Sequence, residues 1–102
     1  MATATEAQQR VTAALETATL MVSDLEEIAR EWEGLSDGER ASWSLDWSNE
    51  MSGLERAAEW AVEGTLTTVQ DRKLRALLQR IADARPILDR LNLYAPSGSA
   101  TR

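Results

Sequence analysis

From Val11 onward, apolar residues recur at alternating steps of three and four: Val11, Ala14/Leu15, Ala18, Met21/Val22, Leu25, Ile28/Ala29 and Trp32. That spacing lays one apolar stripe along a long helix, the seam by which helices pack side by side. Val11, Ala18, Leu25 and Trp32 occupy one column of the stripe, and Ala14, Met21 and Ile28 the other. The pattern predicts a helix over residues 5–33. Gly34 is its stop signal, and Ser36-Asp37-Gly38-Glu39 has the Ser-x-x-Glu spacing of a capping box that opens the next helix.

Trp43, Trp47, Met51, Leu54, Ala57/Ala58 and Ala61 continue the same period and predict a second helix over 37–63, ended by Gly64. Ser52-Gly53 is its weak point, because glycine inside a helix costs about 1 kcal/mol relative to alanine and Ser52-x-x-Glu55 could itself open a helix. The apolar spacing keeps its phase across Gly53, which favours one continuous helix over a break that would make four. A third helix is predicted over 67–94, capped through Thr67-x-x-Gln70 or Thr68-x-x-Asp71, with the seam Leu74, Leu77/Leu78, Ile81, Ala84, Leu88 and Leu91. Pro86 falls inside that seam, where it removes a backbone hydrogen bond and crowds the preceding turn, so a kink is expected near Ala82–Arg85.

Three segments of about 27 residues, each roughly 40 Å long and joined by short turns, predict an all-α, antiparallel up-down-up three-helix bundle. Residues 1–95 form a single domain on this reading. Residues 96–102 carry no large apolar anchor and are expected to be a disordered C-terminal tail.

Composition narrows the chemistry. Of 102 residues none is Cys or His, which excludes disulfides and thiolate metal sites and removes the commonest general base and transition-metal ligand. Paired carboxylates such as Glu26/Glu27 and Glu55/Glu59 are frequent, but they lie beside apolar seams, whereas carboxylate metal bundles point Glu inward. No Gly-x-x-x-x-Gly-Lys-Ser/Thr loop or calcium loop occurs. No catalytic residue, cofactor or metal site is therefore expected, and the chain is read as a non-enzyme.

The net charge of −6 is unevenly divided: residues 1–65 hold 14 Asp/Glu against 4 Lys/Arg, and residues 66–102 hold 3 against 7. Inside a bundle such asymmetry favours attraction between segments. Lys73, Arg80 and Arg85 flank the third seam and are expected to pair with carboxylates of the first two helices. Asp83 and Asp89 interrupt any basic stripe, and the sequence pI is about 4.6, so direct nucleic-acid binding is not expected.

Trp32, Trp43 and Trp47 stand on the seams and are expected to meet near the first turn as core, with a ligand cleft as the lesser alternative. Leu20, Leu45, Trp60 and Val62 lie off the stripes. An exposed Trp with neighbouring aliphatics is characteristic of an interface, and these four are the candidate partner surface. Asp24, Glu26, Glu27, Glu31, Glu33, Asp37 and Glu39 form a candidate acidic surface, able in principle to occupy a basic site on another protein as a nucleic-acid mimic.

The functional expectation is a helical protein–protein interaction module: an adaptor, an accessory subunit or a homo-oligomer. The alternative is the acidic inhibitor. Salt separates them, since an apolar contact persists as salt rises and a charge mimic weakens steeply. No apolar run approaches a membrane span and the first residues lack a secretory pattern, so no membrane partner and a cytoplasmic location are expected.

Overall fold

The structure, a computed structural model, describes residues 4–96, with side chains from Glu6 onward. It is all-helical: α1 spans Ala4–Glu31, a single 3-10 turn Trp32–Gly34 follows, and then come α2 at Asp37–Val62, α3 at Thr68–Asp83 and α4 at Arg85–Leu91. No strand occurs among the described residues.

Helix α1 packs against each of the other helices. Its buried residues are Ala7, Val11, Leu15, Ala18, Val22, Leu25 and Ala29. The column Val11, Ala18 and Leu25 is the expected one, but its companion is Leu15, Val22 and Ala29, whereas Ala14, Met21 and Ile28 are half-buried at its edge. A helix that meets neighbours on two sides buries a face wider than a single seam, and the larger Leu15 and Val22 take its centre.

Helix α2 runs unbroken through Ser52-Gly53, and buries Trp47, Met51, Leu54 and Ala57. A Cβ built on Gly53 would lie 3.9 Å from the Ala14 Cβ, an ordinary contact, so the glycine stands where α1 and α2 face each other. The helix starts as expected. Glu39 N–H donates to Ser36 Oγ at 3.1 Å and Ser36 N–H donates to Glu39 Oε1 at 2.8 Å. It ends at Gly64, whose φ of 78° is left-handed, with Thr65 N–H reaching back to Trp60 O at 3.0 Å. Glycine alone meets that backbone without a Cβ penalty.

The expected third helix is two helices. Pro86 lacks the N–H that would close the turn onto Ala82, and the path breaks at Ala84 (φ −89°, ψ 8°) before restarting with Pro86 in the first turn of α4. Leu74, Leu77 and Ile81 of α3 and Leu88 and Leu91 of α4 still reach the core.

Thr67 and Gln70 form the capping box of α3, at 3.1 and 3.2 Å. The same Gln70 amide donates to Gln8 O at 2.7 Å and Thr12 Oγ1 at 2.8 Å, and Gln8 Nε2 donates to Thr65 O at 3.0 Å. At the far end of α1, Arg90 Nη2 donates to Ala29 O at 2.9 Å. The start of α1 is thereby tied to the start of α3, and its end to α4.

The third limb, expected to stay helical to residue 94, ends at Leu91, because the chain turns at Asn92, left-handed at φ 58°, a conformation Asn tolerates better than most residues. Leu93 N–H bonds to Leu88 O at 2.8 Å, and Leu93 and Pro96 are both buried. Pro96 was expected to begin the tail. Its ring is instead enclosed, and the rest of that segment, 97–102, lies outside the described residues.

The charged flank of α3 differs from expectation as well. Arg85 pairs with Asp89 of its own helix at 3.0 Å, and Arg75 with Asp71 at 2.8 Å. Lys73 and Arg80 form no ion pair among the described residues. The reason is geometric: both side chains border a groove between α1 and α3 whose opposite wall offers only one carboxylate, Glu16. The pairs that do form are exposed i,i+4 contacts, each worth a few tenths of a kcal/mol.

Candidate interaction surface

This groove between α1 and α3 has a volume of about 880 Å³. Buried Leu15 and Leu77 make its floor. Thr12, Glu16, Thr19 and Leu20 form the α1 wall, and Val69, Lys73, Ala76 and Arg80 the α3 wall. The α3 wall repeats at steps of four, three and four, so these side chains project from one face of that helix. Leu20 is 67% exposed and Val69 54%. Each borders the groove without being covered.

Leu45 and Val62 are also exposed, at 63% and 89%. Trp60 is half-buried and packs against the core. The four residues picked out by their place off the stripes do not gather in one hollow. Leu20 lines the α1–α3 groove, and Val62 lines a second, smaller hollow with Leu54, Glu55, Ala58, Leu78, Tyr94 and Pro96. Leu45 and Trp60 line neither. Val69 escaped sequence reasoning because it sits in the first turn of α3. Its step of four to Lys73 and of seven to Ala76 was the available signal.

Two of the tryptophans, Trp43 and Trp47, meet in the first half of α2. Trp47 is fully buried, and its ring lies 5.6 Å from that of Trp43, stacked at 15°. Trp43 and Trp32 are half-buried. Neither hollow is lined by a tryptophan. Arg40 closes the corner: its guanidinium stands 6.0 Å from the centre of the Trp32 ring, while Nε and Nη2 donate to Trp32 O at 2.8 Å and Glu33 O at 3.0 Å. One arginine thus binds two carbonyls of the turn after α1: Glu33 O, and Trp32 O, which also accepts from Leu35 N–H at 3.2 Å.

The acidic candidates Asp24, Glu26, Glu27, Glu31, Glu33, Asp37 and Glu39 are all exposed. Two are already engaged. Asp37 lies 3.8 Å from Arg40, and Glu39 serves the capping box, where first the backbone N–H of Ser36 and then its hydroxyl hold the carboxyl below the usual Glu range. Glu50 goes the other way, raised first by burial and then by Asp46 one turn earlier. Among the described residues no group of three acidic side chains is placed to hold a metal ion.

Removing the cap tests the corner. Ser36→Ala is expected to cost about 1 kcal/mol, read from denaturant midpoints. Because the folded-state pKa of Glu39 is depressed, its contribution is present above the ordinary Glu pKa and fades as pH falls through the lowered value. The substitution keeps the backbone N–H of residue 36, which does most of the lowering, so the difference between wild type and Ser36→Ala should narrow in acid only by the share of the hydroxyl. An unchanged difference down to about pH 2, where carboxylates are protonated, would separate the cap from Glu39.

Compared with models of protein families, with curated proteins and with solved structures, the chain matches none. No helix among the described residues is long and apolar enough to cross a membrane. The groove and its chemistry are what argue for function.

Proposed function

We propose that this chain is a non-enzymatic helical module that acts in the cytoplasm by protein–protein contact, with the α1–α3 groove as its principal surface. The observation that carries the reading is the pairing of an open apolar groove with two large aliphatic side chains, Leu20 and Val69, held in water on its rims. Exposed aliphatics that border one concave, partly charged surface are the usual composition of a docking site. The module is an antiparallel up-down-up arrangement of three limbs, the third made of α3 and α4. Hydrogen bonds from Gln70 to Gln8 and from Arg90 to Ala29 support it, since they join like ends of α1 and that third limb.

A photoreactive amino acid at Leu20, introduced in cells of the native host, is expected to give a covalent protein adduct. The same group at Arg56, exposed on α2 and lining neither hollow, should give none. If placements at Leu20, Leu45 and Val62 all return only the unmodified chain, the contact reading fails.

A further inference from the structure

The occupant of the groove can be specified by its chemistry. Along α3 the wall reads Val69, Lys73, Ala76, Arg80, an apolar and a basic residue in alternation over eleven residue steps, or about 16 Å of helix. Lys73 and Arg80 carry no ion pair among the described residues, so a partner helix that fits must bring an aliphatic side chain flanked one turn away on each side by carboxylates. This chain contains such a ridge: Glu16, Leu20 and Asp24 follow one another at steps of four along the exposed side of α1. Glu16 and Asp24 likewise have no ion pair among the described residues. The ridge borders the groove it complements, at Glu16 and Leu20, which is the condition for a self-complementary contact about a two-fold axis.

We propose that the α1–α3 groove is a self-association surface, in which Leu20 of a second copy of this chain seats against Ala76, between Lys73 and Arg80, while its Glu16 and Asp24 meet Arg80 and Lys73. The register follows from counting. With Leu20 set opposite Ala76 on an antiparallel helix, residue 16 falls opposite residue 80 and residue 24 opposite residue 72, one position from Lys73 and within its reach, so both charge pairs form without shifting the apolar contact. The two-fold repeats the arrangement, and α1 and α3 of both copies complete a four-helix layer with Leu15 and Leu77 at its centre. Within a single chain the same charges stay apart because the groove lies between them. The charged rim sets partner and register, and the apolar floor supplies most of the affinity.

The inference rests on the contact reading above and is tested by exchange of charge. Light scattering after size exclusion, at about 100 μM, where a complex of micromolar affinity is nearly fully formed, should give wild type twice the mass of the chain. The pairs Lys73→Glu with Arg80→Glu, and Glu16→Lys with Asp24→Lys, each place like charges across both halves of the contact. Each variant alone should show at least a tenfold weaker self-association while its helical circular dichroism is kept. Mixed in equal amounts, they restore opposite charges in both halves and should return to the doubled mass, which loss of folding could not produce. Should either pair of changes unfold the chain, the single changes Lys73→Glu and Asp24→Lys, mixed in the same way, decide the question. A monomeric wild type, or charge variants that stay dimeric alone, overturns the proposal. A monomeric wild type together with an adduct from Leu20 to a different protein overturns self-association and leaves the contact reading standing, whereas absence of any adduct removes both.

Discussion

Replacement of Trp47 by alanine is expected to destabilise the fold by about 3–5 kcal/mol, the range found for deletion of a buried aromatic ring. Trp47 is the largest of the fully buried side chains, and three separate contacts depend on it. Its ring stacks on Trp43. It stands in α2 one turn before Met51 within the core. Its indole N–H donates to Tyr94 O at 2.7 Å, which ties the segment after α4 to α2. A domain of this size has only about 5–15 kcal/mol of total stability, and each kcal/mol lowers the melting temperature by roughly 4–8 °C, so the variant should melt at least 12 °C below wild type or fail to fold. Trp47→Phe separates the contributions. It keeps the six-membered ring but loses the pyrrole edge with its donor, and should cost about 1–3 kcal/mol, less than Trp47→Ala. A melting temperature for Trp47→Ala within two or three degrees of wild type would show that the ring is not the keystone of the core.

Trp47 was legible in the sequence because a seam of period three and four marks it; the same pattern placed α1 and α2, while the Ser-x-x-Glu spacing placed the first capping box and the second was one of two alternatives, Thr67 with Gln70. The failures share a physical cause: helical periodicity describes one helix at a time. It cannot say how many neighbours a helix has, and α1, which meets several, buries Leu15 and Val22 where a two-helix seam would bury Ala14 and Met21. Nor does it register distance between helices. Lys73 and Arg80 stand on the flank of α3 as expected, yet the groove keeps them from the carboxylates that composition offered. Arg90 shows the converse, since it reaches a backbone carbonyl, Ala29 O, that no charge count reveals.

Pro86 is a different case. Its chemistry dictated an interruption, but whether the helix bends or divides depends on whether Ala84 can accept two new N–H donors, and here it takes those of Ile87 and Leu88 at 2.9 and 3.1 Å. For the candidate surface, Leu20 was visible as an aliphatic off the stripe. Its neighbour Val69 was not, because only the approach of α3 to α1 turns the two into rims of one groove.

Periodicity misplaced the segment after α4, carrying the third helix on to residue 94 where the chain leaves it at Leu91, and removal of that segment from the core should be the other large effect. Asn92 turns the backbone, Leu93 enters the core, and Pro96 is fully buried. Between them Tyr94 presents its carbonyl to Trp47 and its hydroxyl to Glu55 Oε2 at 2.5 Å. That hydroxyl bond, ahead of burial and the Glu55 charge, holds the Tyr94 pKa above its ordinary value. Its contribution is therefore complete below the ordinary Tyr pKa and is lost as pH rises through the raised one.

The double change Leu93→Ala with Pro96→Ala is expected to cost about 3–4 kcal/mol: at least about 2 for the buried leucine, and the remainder for the proline ring and the backbone freedom that proline withholds from the unfolded chain. The loss should be visible at a particular atom. With the segment released, the Trp47 indole N–H loses the carbonyl that covers it, and its exchange with solvent, followed by nuclear magnetic resonance, should accelerate by about tenfold or more for each 1.4 kcal/mol of local stability lost. Leu93→Ala alone should fall between wild type and the double variant in both measurements. Unchanged indole exchange in a destabilised double variant would mean that Leu93 and Pro96 support α4 and not Trp47, and would detach the segment from the tryptophan cluster.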